Sequence, residues 1–319
     1  MGNYRHLEIT DDVRAEVTNP ELDLKEMEYC VLSSQIELRE LIASNPKLLG
    51  HFALWMSKDI EHSVRAALSG NTSIDPLIVV ELSNDPHLAV ISAASENPNL
   101  NQQRLSELAE HRSYIVRTGV ARNSGASLET LKQLAKDSEW GVRRSVAENP
   151  NVSIDLLSEL SKEEVDEIQI AVASNIKTTM QTLSELWVDS SAARDTVISN
   201  PNCTEEFLLS ALKEAMALKD DQDETWDDDL RGDTSIRELI AERPNLSRSL
   251  ILELIVDPSH YVRQKIAANV SLTQEDLSKL SLDENENVRQ AVVDNPNTSQ
   301  ESKTAATLLG LPSKESDDE

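Results

Sequence analysis

The chain offers few residue sets able to carry covalent or metal chemistry. Its six histidines, His6, His51, His62, His87, His111 and His260, form no HExxH pair, and neither a GxSxG elbow nor a glycine-rich phosphate loop accompanies them. Cys30 and Cys203 stand far apart, with no CxxC or Cys/His spacing, and read as buried small hydrophobes in a reducing compartment. Carboxylates are abundant, yet nothing singles out two of them as an acid and a base. The expectation is no enzyme, with no metal and no cofactor.

What remains is the chemistry of recognition. Arginine recurs at Arg39, Arg65, Arg117, Arg143, Arg194, Arg237, Arg263 and Arg289, and the series is broken at Ile91 and Gln169. Such a row could read carboxylates or phosphates in bidentate fashion. Asp59, Asp137, Asp257 and Asp283 each stand six residues before one of these arginines, which favours a structural ladder that bridges successive layers. Aromatic residues make up only 3% of the chain, so their placement matters. Tyr114, Trp140 and Tyr261 fall eight or nine residues before their anchors, beside His62 and His260, and are candidate partner-binding residues; a role as plugs of the adjoining turn is equally open. The acidic run Lys219 to Asp233 lacks the ordered spacing of an EF-hand and reads as a solvated loop, with Trp226 in its middle as a candidate docking residue.

These positions are set by a repeat. Asparagine recurs at Asn19, Asn45, Asn71, Asn97, Asn123, Asn149 and Asn175, each 26 residues after the last; Asn200 follows after 25, Arg243 takes the aligned place 43 residues later, and Asn269 and Asn295 restore the period of 26. Eleven units result. Seven residues before the anchor of the regular repeats stands an apolar residue, as at Val64, Val116, Val142, Val262 and Val288, with another four residues later, as at Leu68, Val120, Val146, Ile266 and Val292, which is one face of a helix. Asn is tolerant of a left-handed conformation and is often followed by Pro, so the anchor is expected to end this helix.

Four residues past the anchor comes a capping side chain: Asp75, Asn101, Ser127, Ser153, Thr179, Thr204, Ser247, Thr273 or Ser299. A second helix begins there, its buried face written by pairs such as Leu105 and Leu108 or Leu131 and Leu134. Helices this short are marginal alone, so stacking must hold them. The extra residues between Asn200 and Arg243 imply a lengthened helix from Glu205 to about Lys219, with the acidic stretch looped out.

The pattern in Val142 to Asp155 and Val288 to Ser299 resembles the leucine-rich repeat variant family, a relative of HEAT-like helical repeats. The resemblance implies alternating short helices, often one α and one 3₁₀, wound into a right-handed superhelical solenoid, and it implies binding surfaces without specifying a partner. The cysteine-rich iron–sulfur segment of one described type has no counterpart here. The expected fold is thus all-α, a right-handed superhelical solenoid of about eleven 26-residue two-helix repeats over 1–300. An acidic insertion falls at about 214–233, and 301–319 forms a C-terminal cap and acidic disordered tail.

The net charge of −27 opposes nucleic-acid binding, which rests on basic surface and counterion release. No apolar run is long enough for a membrane span and the N-terminus has no signal-like core, so a cytoplasmic protein is expected. The function expected is a protein-interaction scaffold for a partner with a basic surface. A nucleic-acid mimic that occupies a DNA-binding protein is the alternative, and a repeat-fold DNA binder stands behind it. A face of mixed charge would favour the first, a regular acidic stripe the second and a basic concavity the third.

Overall fold

The computed structural model describes residues 9–217 and 232–312, and among them all regular structure is helical, in twenty-two helices. They pair into eleven two-helix units. In chain order the helices are α1 (Asp11–Thr18), α2 (Leu24–Val31), α3 (Ile36–Ala43), α4 (Gly50–Met56), α5 (His62–Gly70), α6 (Pro76–Leu82), α7 (Leu88–Glu96), α8 (Gln102–Leu108), α9 (Tyr114–Arg122), α10 (Leu128–Leu134) and α11 (Trp140–Glu148). They continue with α12 (Ile154–Leu160), α13 (Asp166–Ser174), α14 (Met180–Asp189), α15 (Arg194–Ser199), α16 (Glu205–Ala217), α17 (Gly232–Glu242), α18 (Arg248–Leu254), α19 (His260–Ala268), α20 (Gln274–Leu280), α21 (Glu286–Asp294) and α22 (Gln300–Leu308).

The helices group into two compact units, residues 1–175 and 176–319. In the first, the odd-numbered helices α3, α5, α7, α9, α11 and α13 pack each on the next; in the second, α15, α17, α19 and α21 do the same. Each layer buries the predicted stripe: Val116 and Val120 of α9 and Leu131 and Leu134 of α10 are essentially inaccessible, as are their counterparts Val142, Val146, Leu157 and Leu160. Burial of such a side chain contributes roughly 1.5–3 kcal/mol. Close approach is enforced at Gly119, where an added Cβ would lie 1.9 Å from Ser95 Oγ and 3.1 Å from the Ser92 carbonyl oxygen.

The second helices begin at the expected caps. Ser127 Oγ accepts from Thr130 N–H at 3.2 Å, Ser153 from Leu156 at 3.3 Å, and Thr273 and Asp276 close a reciprocal capping box. Where the resemblance implies 3₁₀ turns, these second helices are α-helical: the Leu131 and Ala135 N–H groups donate four residues back, at 2.9 and 2.8 Å. In the long repeat α16 extends over 13 residues, Glu205–Ala217. The rest of the acidic insertion, with Trp226, and the acidic tail from residue 313 lie outside the described residues. The boundary expected between 300 and 301 falls inside the first turn of α22, which is the regular second helix of the last repeat.

Candidate functional site

Two internal ladders hold the layers and so position the surface. The first is the asparagine series. The Asn149 side chain, 1% exposed, donates through Nδ2 to the Ala121 and Asn123 carbonyls at 2.6 and 3.0 Å, and its Oδ1 accepts the Asn151 N–H at 2.8 Å. The same three bonds recur at Asn71, Asn97, Asn123, Asn269 and Asn295. Each amide thus serves the open carbonyl end of the preceding first helix, where the earlier of the two carbonyls, Ala121 for Asn149, would otherwise be buried without a partner. Arg243 replaces it in the long repeat and reaches the Ile198 and Asn200 carbonyls, the latter at 3.0 Å.

The left-handed conformation expected at the anchor is not adopted. Asn149 has φ −67° and ψ 131°, Asn123 φ −64° and ψ 119°. These values are extended: the Asn149 N–H donates back to the Val146 carbonyl at 3.1 Å, while its side chain serves the end of the first helix one repeat earlier.

The second ladder is the arginine series. Arg117 Nε and Nη2 donate to both oxygens of Asp137 at 2.5 and 2.8 Å, and Nη1 donates to the His111 carbonyl at 2.8 Å. Arg39 pairs likewise with Asp59 at 2.7 Å, Arg65 with Asp85 at 2.6 Å, Arg143 with Glu163 at 2.8 Å and Arg263 with Asp283 at 2.7 Å. The carboxylate partner therefore lies twenty residues downstream. The residue six positions upstream, Asp137 for Arg143 or Asp257 for Arg263, offers only its backbone carbonyl, at 2.7 and 2.8 Å. Each guanidinium spans two consecutive junctions between units, and the Asp carboxylate also accepts the N–H two residues on, as Asp137 does from Glu139 at 2.9 Å.

Burial pushes the Asp137 carboxyl up, but the bonds from Arg117 and Glu139 outweigh it and hold it below the usual carboxylate range. Asp257 goes the other way. Burial raises it, and the Ser259 N–H with Arg237 and Arg263 does not compensate, since Arg237 Nε sits 3.3 Å away outside hydrogen-bond alignment. Arg289, in the last layer, donates to the Gly310 carbonyl at 2.9 Å. Arg194 leaves the ladder: it donates to the Trp187 carbonyl at 3.0 Å and lies 5.4 Å over the Trp187 ring.

With the guanidinium groups committed inward, the outer face of the first helices is left to the remaining side chains. Tyr114 is 53% and Trp140 45% exposed, at the first residue of α9 and α11, in neighbouring layers, with Ile115 beside them. His62 and His87, at the starts of α5 and α7, stack at 3.6 Å. Charges on this face are of both signs: Arg122 lies 3.8 Å from Glu96, and Arg144 pairs with Glu148 at 2.8 Å. Tyr261 belongs to the second unit, 57% exposed at the mouth of a groove over α19 and α21. Sequence reading passed over Trp55, half exposed with Leu54 and His51 along a groove of about 660 Å³ in the first unit. Its signal was an aromatic on the polar side of a seven-residue helix.

Among the described residues no three His, Cys, Asp or Glu side chains come together as metal ligands, and no helix is long and apolar enough to cross a membrane. Cys30 and Cys203 are free and buried, and burial pushes each thiol up to about 11.

Layers of paired helices and internal ladders define a tandem helical-repeat protein. A solved structure described as a leucine-rich repeat variant with a novel repetitive protein structural motif is similar to it in fold over 75% of this chain and 88% of that one, at 20% identity and a TM-score of 0.48. No protein-family model and no curated protein sequence matches the chain.

Proposed function

We propose that the chain is a protein-interaction scaffold that acts in the cytoplasm and takes a partner with a basic surface on the face of its first helices. The observation that carries this reading is the pair Tyr114 and Trp140, large rings left half exposed in adjacent layers of a protein with 3% aromatic residues. The mixed signs around them suit a protein surface better than the regular acidic stripe of a nucleic-acid mimic or the basic concavity of a DNA binder. The buried free thiols fit a reducing compartment.

The test is affinity capture on the immobilised full chain at low salt, followed by surface plasmon resonance with the purified partner. The net charge of −27 should speed association, and salt should slow it as the Debye length falls from about 8 Å at physiological strength to about 3 Å at 1 M. Loss of a central ring costs about 2 kcal/mol or more, so Trp140→Ala should raise the off-rate roughly 30-fold. Binding indifferent to salt, with both rings dispensable, would overturn the proposal.

A further inference from the structure

One row of equivalent positions in the first unit changes its chemistry from layer to layer. The first residues of α7, α9, α11 and α13 are Leu88, Tyr114, Trp140 and Asp166, each 26 residues after the last, so they stand in line along the stacked first helices, one per layer. Leu88 is exposed like the two rings, and the exposed Ile115 widens the apolar part. Asp166 is exposed too, with the exposed Glu164 and Glu167 beside it, and none of the three has a cation partner among the described residues. Arg143, in the layer before, is already taken by Glu163 at 2.8 Å.

The carboxylates are not a feature of the repeat. A helix dipole favours acidic residues in any first turn, yet α7, α9 and α11 have none there, and α13 has Asp166 and Glu167. At the other side of the rings the sign reverses. Arg112, two residues before Tyr114, is exposed and has no carboxylate partner among the described residues.

This order constrains what can cover the strip. Exposed apolar surface of this kind is matched by apolar side chains of a partner, here over Leu88, Tyr114 and Ile115. A basic group at that end would meet Arg112, whereas at the α13 end it meets three carboxylates without a counter-charge. Trp140 stands between, and a tryptophan face holds a cation better than any other ring. A guanidinium can lay its flat face on the ring and turn its N–H edge to a carboxylate, which an ammonium group cannot do. The protein stacks a guanidinium in this way within its own second unit, where Arg194 lies 5.4 Å over the Trp187 ring. With layers about 8–10 Å apart, the row from Leu88 to Asp166 is about 24–30 Å long, a reach that an extended segment covers in about eight residues.

We infer that this strip binds a linear segment of the partner in which apolar and arginine side chains are segregated, the apolar block on Leu88, Tyr114 and Ile115 and the arginine block on Trp140, Asp166 and Glu167. The inference rests on the scaffold reading and adds to it the order of side chains recognised and the cation preferred.

The probe is a fluorescein-labelled dodecapeptide with a block of leucines, a glycine–serine spacer and a block of arginines, titrated with the full chain by fluorescence anisotropy at physiological ionic strength. Saturable binding is expected, at least tenfold weaker when the same leucines and arginines alternate and at least threefold weaker with lysine in place of arginine. Trp140→Ala should weaken it at least tenfold, and Trp140→Phe, which keeps a ring, should recover most of that loss. Asp166→Asn with Glu167→Gln should also weaken it at least tenfold. Glu253→Gln with Asp294→Asn removes the same charge from exposed positions of the second unit and should leave binding unchanged. Melting curves of the variants matching the parent chain show that they fold. No saturable binding, equal binding of the alternating or the lysine peptide, or an equal loss from both neutralised pairs overturns the inference, the last because it means diffuse attraction by net charge. If the block peptide fails while a purified basic partner still binds through Trp140 in a salt-dependent manner, the inference falls and the scaffold stands. If the peptide binds with the expected losses but no protein partner is captured, the strip stands and the scaffold reading falls.

Discussion

Asn149→Ala should destabilise the first unit far more than the same change at Asn19, although the two residues occupy the same place in the repeat. Asn149 has a layer behind it. Its removal leaves the Ala121 carbonyl buried without a partner, whereas the Asn123 carbonyl keeps the Ala126 N–H at 3.0 Å and Asn151 is an exposed residue. An orphaned buried group costs about 1–3 kcal/mol and a lost hydrogen bond about 1 kcal/mol, so the loss is about 3 kcal/mol, or roughly 6–12 °C in Tm for a unit of this size. Asn19 is exposed and its side chain accepts only the Glu21 N–H at 2.9 Å, so alanine there should cost about 1 kcal/mol or less. Calorimetry on both variants measures the difference, and melting temperatures within about 2 °C of each other would refute the spine. Asn149→Asp sharpens the test. It keeps the shape but turns an oxygen toward two carbonyls, so its carboxyl is raised on folding and the variant should regain stability as the pH falls through that raised value.

Asp137→Asn should cost about 1.5–3 kcal/mol at neutral pH, since it removes a bidentate charged pair with Arg117. Because the folded carboxyl lies below its ordinary value, this contribution is complete above about pH 4 and fades as the pH falls through the depressed value. Asp257→Asn should cost less at neutral pH than Asp137→Asn, because that carboxyl is raised and its stabilising form is the protonated one, gained as the pH falls toward about 4, although the change leaves buried Arg237 without its carboxylate; chemical denaturation of both variants across pH 3–7 reads the opposite slopes. Gly119→Val should cost about 1–3 kcal/mol through the contact with Ser95 and the Ser92 carbonyl, and a variant that melts no earlier than the parent chain would mean that α7 and α9 can separate without loss.

The period, the paired helices and nearly every cap are legible in the sequence, because each depends on residues within one turn of the chain. The anchor's task is not, since it is performed on carbonyls 26 and 28 residues back, as at Asn149. Residue choice held a clue: a left-handed stop would accept Gly at least as well, and only an amide side chain offers two donors and an acceptor at one place. The candidate aromatics Tyr114, Trp140 and Tyr261 were legible in the sequence and are exposed, whereas the grooves were not, since they form only when side chains of successive repeats are brought together.

The register of the arginine ladder is the most instructive case. Because 26 is the sum of 6 and 20, every junction carboxylate stands six residues before one arginine and twenty after another, and periodicity alone cannot choose between them. The irregular repeats can. A six-residue register leaves Asp85 opposite Ile91 and Arg117 opposite His111, two unmatched charges in neighbouring layers. A twenty-residue register pairs Arg65 with Asp85 and Arg117 with Asp137, and places Ile91 opposite His111, so that in these layers a single rung is lost with both members changed together; at the other break Gln169 falls opposite Asp189, which is exposed. A buried charge left unpaired is costly, and the register that strands none is the one the protein adopts.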